Sequence, residues 1–405
     1  MYTNNGDDMD LKRKYAHLLL DCLNLKKGDY LFVSIPTFAS YFKKLIIEEA
    51  KAYGLKDIYF DEVDSYKKHD LLKNLDQENI NKHPYFDASI YNKYAKLDAG
   101  FLFIRSMIPK LMDDVDPVKI KATTEHTLET QKYFRDLYNS SKLRWNISCI
   151  PNEEWAKSLN MSEDELWNYI LKICMVDDKS NPYEKWNEYL EELEKTTNIL
   201  NDYNFEYLEY KNDAGTDLKI YLPERHLWSS GKSPNGDICN MPTLEVFTSP
   251  LYNKTEGKVV ATKPLLFNNV LIDDFYLEFK EGKVVSYDAR VGLDTLRTII
   301  ETDEYSCYLG ECALVSFDSV INKTNIIFNE TLYDENASCH IALGRGFNEC
   351  LKGEIKDDEE QLKRGVNISK THVDFMIGSR DLLAVGVTQD GKKIKVIENG
   401  NIILK

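Results

Sequence analysis

A change in hydrophobic periodicity halfway along this chain is the feature that most constrains its fold. In the first half, short apolar stretches alternate with longer segments of helical spacing. In the second half, apolar and polar residues alternate around glycine-containing turns. The first pattern is typical of a parallel sheet with crossover helices, and the second is typical of antiparallel hairpins. The chain is therefore expected to combine two architectures.

The strand-like stretches of the first half are short, apolar and bounded by turn or charged residues. They cover residues 29–36, 57–63, 99–106 and 144–151. Segments of helical spacing separate them, and a continuous helical tract is expected from "NEEWAKSL" to "TTNILNDY", ending near residue 205. This order predicts an N-terminal α/β domain over residues 1–205 with an open, largely parallel sheet.

The second half is expected to form hairpins at "LEYKNDAGTDLKIYL", "DFYLEFKEGKVVSYDARV" and "KVIENGNIIL". A helix is expected over "LDTLRTIIETD". These patterns predict an α+β C-terminal domain over residues 206–405, rich in antiparallel hairpins. A chain of 405 residues also exceeds the usual size of a single core, which favours two domains.

The charge balance narrows the classes of partner. The chain has 51 basic and 67 acidic residues, a formal net charge of −16. A nucleic-acid partner is disfavoured because phosphate backbones bind to basic surfaces. The acidity is explained either by solubility or by carboxylates gathered around a cation, and both explanations can hold.

The N-terminal sequence, the lack of long apolar runs and the cysteine pattern predict a cytoplasmic protein. The first residues, "MYTNNGDDMDLKRKYA", are polar and lack the apolar core of a signal peptide. No run approaches the roughly 20 apolar residues that span a bilayer, so no membrane association is expected. The eight cysteines include no C-x-x-C pair and are expected to be reduced thiols.

The familiar catalytic signatures are missing from the sequence. It contains no H-E-x-x-H helix, no G-x-S-x-G elbow and no glycine-rich phosphate loop, which disfavours nucleotide-binding proteins and serine hydrolases. What remains is a set of unusual islands in the second half. They are "NMPTLEVFTSP", "YLGECALVSF", "NETLYDENASCHIALG" and "THVDFMIGS".

These islands contain a candidate metal site. His372 and Asp374 are two residues apart in a predicted strand, so their side chains leave the same face. Glu245 and Glu311 have apolar neighbours, and a buried carboxylate is costly unless a cation offsets its charge. With His340 this makes a mixed nitrogen and oxygen donor set, which suits Zn²⁺, Co²⁺ or Mn²⁺ and is large enough for two ions.

Structural explanations compete with the metal site at every position. A single histidine before an apolar run is commonly a core histidine with a satisfied hydrogen bond, and H-x-D often occurs by chance. A glutamate within a strand commonly faces solvent or pairs with arginine. Cys339, next to His340, is disfavoured as a ligand.

The islands resemble those of the thermophilic metalloaminopeptidases, the family that contains aminopeptidase T and aminopeptidase S. "NMPTLEVFTSP", "LGECALV", "TLYDENASCHIALG" and "NISKTHVDFMIGS" follow the family pattern in order and spacing. The resemblance extends to "WNISCIPNEEWA", "GTDL" and "GKVVATKPL", so it covers most of the chain.

The resemblance implies a two-metal exopeptidase that removes N-terminal amino acids from short peptides. It implies an N-terminal α/β domain, a C-terminal metal-binding domain and a homodimer that encloses the active site. Glu335 falls at a further acidic position, either a ligand or the group that activates water. The implied metal ligands, with Glu311 as the bridge, are Glu245, Glu311, His340, His372 and Asp374.

The chain departs from the family pattern at two positions. Leu244 stands where the family usually has a glutamate, and Phe347 stands at the position of a family tyrosine of the catalytic site. A phenyl ring has no hydroxyl to stabilise an oxyanion, and losing such a donor typically costs about 10²–10³ in rate. The leading hypothesis is an active metalloaminopeptidase. The alternatives are a catalytically impaired paralogue that binds peptide or metal, and a metal-dependent hydrolase for another amide or ester.

Overall fold

The computed structural model describes residues 4–80, 82–267 and 270–404. Two compact units are formed: Met1–Glu188 with Lys232–Met241, and Tyr189–Gly231 with Pro242–Lys405. The predicted division into domains 1–205 and 206–405 stays a prediction, and its outermost residues, 1–3 and 405, lie outside the described residues.

The secondary structure changes from mainly helix to mainly strand near residue 205. The helices are α1 Asn4–Asp21, α2 Ser40–Ala50, α3 Ser65–Asn74, α4 Gln77–Ile80, α5 Ser89–Ala95, α6 Pro117–Thr130, α7 Lys132–Asn139, α8 Glu153–Ser158, α9 Glu163–Ile173, α10 Pro182–Tyr203, α11 Leu293–Ile300, α12 Thr331–Asp334 and α13 Asp358–Lys363. The strands are β1 Tyr30–Pro36, β2 Asp57–Val63, β3 Gly100–Arg105, β4 Arg144–Cys149, β5 Phe205–Lys211, β6 Asp217–Tyr221, β7 Ser229–Ser230, β8 Asn240–Met241, β9 Val246–Thr248, β10 Glu256–Val260, β11 Leu265–Phe267, β12 Val270–Lys280, β13 Lys283–Val291, β14 Leu309–Leu314, β15 His340–Gly344, β16 His372–Met376, β17 Leu383–Thr388, β18 Lys393–Glu398 and β19 Asn401–Ile402.

The first unit contains a parallel sheet with the strand order β2-β1-β3-β4-β8. In the centre, Leu31 of β1 pairs with Ile58 on one side and Gly100 on the other. Helices connect the successive strands, as the parallel pairing requires. The predicted open, parallel α/β sheet is therefore confirmed. Strand β8 was not predicted, because only two residues of "NMPTLEVFTSP" join this sheet.

The helical tract expected to be continuous is divided into α8, α9 and α10. Ser162 starts α9 with a capping box, in which its hydroxyl accepts from the Glu165 backbone and Glu165 accepts from the Ser162 backbone. Pro182 begins α10, where its missing N–H has no helical partner to lose. These local starts outweigh the sustained helical spacing, so the prediction of one unbroken tract was wrong.

The second unit contains a large antiparallel sheet with the order β11-β12-β10-β6-β5-β17-β18-β19, and β13 also pairs with β12. The β12–β13 hairpin turns at Glu281 and Gly282, with φ angles of 50° and 79°. Two consecutive positive φ angles suit the right-handed twist of a two-residue hairpin. A Cβ at Gly282 would lie 2.0 Å from the Tyr252 carbonyl oxygen, so the turn needs glycine. The predicted antiparallel hairpins are confirmed.

A smaller antiparallel sheet of the same unit has the order β16-β15-β14-β9-β7. All residues of β14 and β15 are buried, including Glu311 and His340. Carboxyl and imidazole groups in fully buried strands require polar or charged partners.

In the described ranges, no helix is long and apolar enough to cross a membrane.

Candidate metal centre

The register of the smaller sheet brings the chemically active side chains to one face. Ala342 of β15 lies opposite Glu311 of β14 on one side and Asp374 of β16 on the other. His340 lies opposite Ala313, and His372 lies opposite Gly344. Directly opposed residues share a face and alternate residues of one strand return to it. The face therefore alternates acidic or imidazole groups with small residues that leave space between them.

Two groups of donor atoms form at this face, and Glu311 belongs to both. The first group is Glu245, Glu311 and His340, and the second is Glu311, His372 and Asp374. Within each group the donor atoms lie within 4.8 Å of one another. Glu245 directly precedes β9, which pairs with β14 and so brings Glu245 into the first group.

Short distances join the histidines to the carboxylates. His340 Nε2 lies 3.0 Å from Glu245 Oε2. His372 Nε2 lies 3.1 Å from both Glu311 Oε2 and Asp374 Oδ1. A divalent ion prefers such a mixture of imidazole nitrogen and carboxylate oxygen.

Backbone carbonyls orient both imidazole rings. His372 Nδ1 donates to the Arg345 carbonyl at 2.7 Å, and His340 Nδ1 donates to the Ser338 carbonyl at 3.3 Å. Because Nδ1 carries the proton in each neutral ring, the lone pair of Nε2 points at the carboxylates. Histidines that bind metals commonly have this arrangement.

The buried negative charge shifts the pKa values of the cluster. Burial is the main cause that raises the pKa of Glu311 to about 7, although the His372 hydrogen bond opposes it. Burial lowers the pKa of His340, but Glu245 and the other carboxylates outweigh this and raise it to about 10. Burial also acts to raise the pKa of Asp374, yet His372 brings it below its ordinary value. The carboxylates and imidazoles of the cluster therefore interact strongly enough to shift one another's pKa values.

The environment of one carboxylate oxygen shows whether these residues fit a metal. Glu245 Oε2 is buried and faces His340 Nε2 at 3.0 Å, with no other polar partner. Two lone pairs facing each other in a buried position are unfavourable unless a proton or a cation lies between them. The donor set is therefore consistent with a bound divalent ion.

Glu335 lies beside the two groups but belongs to neither of them. It begins a short 3-10 helix, Glu335–Ala337, and lines a pocket together with Asp374. Burial, followed by the charges of Asp374 and Glu245, raises its pKa well above the ordinary value. Its carboxyl group therefore interacts electrostatically with the cluster.

The two departures from the family pattern both lie at this site. The Phe347 ring is 5.0 Å from the His372 ring and 5.4 Å from the Phe247 ring, measured between centroids. Leu244 is buried, and its N–H donates to Asn336 Oδ1 at 2.6 Å. An aromatic and an aliphatic side chain thus stand next to candidate ligands.

Several supporting groups were not found from the sequence. Ala342 provides the space between Glu311 and Asp374, and Asn336 ties Leu244 to the helix that contains Glu335. The Ser338 and Arg345 carbonyls orient the histidines. Backbone carbonyls carry no sequence signature, and a small residue at a strand position signals nothing until its neighbours are known.

The chain has an α/β unit and an α+β unit, and a buried sheet of the second unit presents both nitrogen and oxygen donors. These features are typical of a metal-dependent enzyme. The comparison with known families agrees. The chain belongs to the family described as thermophilic metalloprotease (M29), whose model matches residues 9–402.

Curated relatives resemble this chain over nearly all of its length. It is 35% identical to "Aminopeptidase AmpS" of Bacillus subtilis, covering 96% of this chain and 97% of that protein. It is 33% identical to "Aminopeptidase 2" of Geobacillus stearothermophilus, covering 96% of each. The solved structure of wild-type AmpT from Thermus thermophilus matches with a TM-score of 0.88 and 30% identity, covering 98% of this chain and 99% of that one.

A more distant structure shares the fold alone. The 2,5-dihydroxypyridine dioxygenase from Pseudomonas putida KT2440 matches with a TM-score of 0.52 at 12% identity, covering 98% of each chain. Together the matches confirm the predicted family, the fold class and the enzyme class, a metal-dependent aminopeptidase. The alternative of a catalytically impaired relative has no support in these comparisons.

Proposed function

We propose that this aminopeptidase binds two divalent ions, Zn²⁺, Co²⁺ or Mn²⁺, and removes N-terminal residues from short peptides. The observation that carries the proposal is that Glu311 belongs to both donor groups. A carboxylate shared in this way suits a two-metal site, in which it would serve both ions. Glu245 and His340 would hold one ion, His372 and Asp374 would hold the other, and Glu311 would contribute to both.

The ions would lower the pKa of a bound water and polarise the scissile carbonyl. Glu335 takes the role of general base, because it adjoins the cluster without belonging to either donor group. Its carboxylate accepts a proton from the attacking water and returns one to the leaving amine nitrogen as the C–N bond breaks. The surplus of acidic groups provides partners for the substrate's free α-ammonium group, which favours exopeptidase action.

We also propose a cytoplasmic homodimer. All eight cysteines are free thiols, which suits a reducing compartment. The homodimer is implied by the family resemblance, and sedimentation of the purified chain tests it. A single species with the mass of one chain at micromolar concentration would contradict the dimer.

Metal content tests the two-metal proposal directly. Elemental analysis of the loaded protein should find two ions per chain in the wild type. Glu311→Gln should lose both ions, whereas His340→Gln should lose one, and Glu301→Gln, a change at an exposed acidic residue, should retain both. One ion in the wild type would contradict the two-metal site.

Hydrolysis of aminoacyl anilides tests the activity. Turnover should require added metal, and Glu335→Gln should keep both ions while reducing kcat by about 10²–10⁴. Loss of an ion in Glu335→Gln would assign this residue as a ligand instead of the base. No turnover of any aminoacyl anilide or short peptide by the folded, metal-loaded chain would overturn the proposed activity.

A further inference from the structure

The side chain of Asn367 belongs to neither donor group, yet it joins two of the segments that carry them. It is fully buried. Its Nδ2 donates to the Tyr305 carbonyl at 3.0 Å and to the Tyr308 carbonyl at 3.1 Å. Its Oδ1 accepts from the Ser369 N–H at 2.9 Å. The amide therefore ties the chain just before β14, the strand of Glu311, to the chain just before β16.

The backbone of Asn367 holds a third segment, the one that follows β15. Its carbonyl oxygen accepts from the Gly346 N–H at 2.9 Å and from Gln361 Nε2 at 2.8 Å. Gln361 Nε2 also donates to the Gly346 carbonyl at 3.0 Å. Gln361 is fully buried as well, so both amides act where water does not replace a lost hydrogen bond. The peptide groups on both sides of Gly346 are thereby fixed.

This third segment contains the carbonyl that orients His372. Arg345 directly precedes Gly346, and its N–H donates to the Thr371 carbonyl at 2.7 Å. The Arg345 carbonyl oxygen accepts from His372 Nδ1 at 2.7 Å. A Cβ at Gly310 would lie 2.2 Å from the same oxygen, so the carbonyl has little room to move toward β14. A displacement of Gly346 therefore reaches the His372 ring through a single peptide group.

The hydrogen bonds of Asn367 lie at one end of the smaller sheet. Gly344, the last residue of β15, lies opposite His372, the first residue of β16. His340, the first residue of β15, lies opposite Met376, the last residue of β16. Asn367 holds the end that contains His372, whereas a different carbonyl orients His340 at the other end. Loss of the Asn367 side chain is therefore expected to disturb one imidazole ring far more than the other.

We propose that Asn367 is a positioning residue for the second donor group. By fixing the Arg345 carbonyl, it holds the His372 ring in the orientation that binds metal, and Gln361 supports it by holding Gly346. This role rests on the proposed metal-binding function. Partners of metal-binding histidines change metal affinity by about 10–100-fold. Because Asn367 acts through one further peptide group, its removal should weaken the second donor group by about tenfold and leave the first unchanged.

Zn²⁺ titration against a chelating dye tests each donor group separately. His340→Gln leaves the second group intact, and His372→Gln leaves the first intact. Adding Asn367→Ala should raise the Kd about tenfold in the His340→Gln background and leave it unchanged in the His372→Gln background. The matched control is Asn146→Ala, at a fully buried asparagine of the first unit that donates to the Ile238 carbonyl, and it should change neither Kd. Equal weakening of both groups, or of neither, overturns the assignment.

A second variant and a structural measurement keep the test decisive if Asn367→Ala folds poorly. Gln361→Met keeps the side-chain length and removes the donors, so it should weaken the second group in the same direction. Its crystal structure without metal should show His372 Nδ1 farther from the Arg345 oxygen than the present 2.7 Å. A wild type that binds a single ion overturns the two-metal proposal, and weaker binding of that ion in Gln361→Met then still supports the positioning role. An unchanged distance with unchanged affinity overturns it.

Discussion

Glu311 Oε2 and His372 Nε2 lie 3.1 Å apart although their strands, β14 and β16, are separated by β15. Neighbouring strands are about 4.8 Å apart, so the two side chains meet above the intervening strand. On β15, Ala342 lies opposite Glu311 and Gly344 lies opposite His372. A methyl group is small enough to leave the centre open, and this relationship leads to the first prediction.

Ala342→Val should weaken metal binding by at least about tenfold, because the added methyl groups occupy space between the donors. Ala384→Val, at a buried alanine of the larger sheet, is the matched control. Both variants should lose about 1–3 kcal/mol of stability through overpacking. Competition with a chelating dye measures affinity, and urea unfolding measures stability. Equal metal affinity in the two variants would show that Ala342 does not define the space.

Phe347→Tyr should raise kcat, by up to about 10²-fold, with little change in metal content. The reason is that the ring lies against the candidate ligand His372, so a phenolic hydroxyl at position 347 would add a hydrogen-bond donor beside the proposed site of reaction. Phe247→Tyr adds the same hydroxyl to the adjacent ring and serves as the control. Steady-state kinetics on a leucyl anilide measures the effect. An unchanged kcat would mean that this enzyme's rate does not depend on a donor at position 347.

Removal of metal should destabilise the protein, because the buried carboxylates then repel one another. At an ion concentration of 100 times Kd, each ion stabilises the folded state by about 2.7 kcal/mol. Thermal unfolding with and without a chelator measures the difference, and added metal should restore the Tm. Glu311→Gln, which is expected to hold no ions, should unfold at the same temperature in both conditions. A wild type that is insensitive to chelation would contradict a tightly occupied site.

Acid should destabilise the protein through His226, a residue outside the metal centre. Burial, opposed by the Pro223 hydrogen bond, lowers its pKa to about 4. Because the folded-state pKa is below the unfolded value of about 6.5, the folded state binds fewer protons and loses stability as pH falls from about 6.5 to 4. This loss approaches about 3 kcal/mol.

The measurement is urea unfolding of the wild type and His226→Asn at several pH values. At pH 8 the free energies of unfolding of the two proteins differ by a constant amount that reflects the change in packing. The variant should lose less stability than the wild type between pH 6.5 and 4. Parallel curves over this range would show that His226 does not titrate on unfolding.

Local patterns account for the parts of the fold that the sequence predicted. The parallel strands and the hairpins follow from periodicity and turn residues, which act within a few residues. The break of the helical tract at Ser162 and Pro182 was missed, although both residues are recognised helix starts. Strand β8 was missed because two paired residues leave no periodic signal.

In the candidate site, too, some features followed from the sequence and others only from the tertiary structure. The sequence by itself determined that His372 and Asp374 share a face, since alternation along a strand is local. It also supplied the family resemblance, through motifs such as "THVDFMIGS". Only the tertiary structure decided that Glu311 belongs to both donor groups, that Glu335 lies outside them and that Ala342 separates the donors. The physical reason is that the register between strands far apart in the chain depends on the packing of the whole sheet, which no short stretch of sequence encodes.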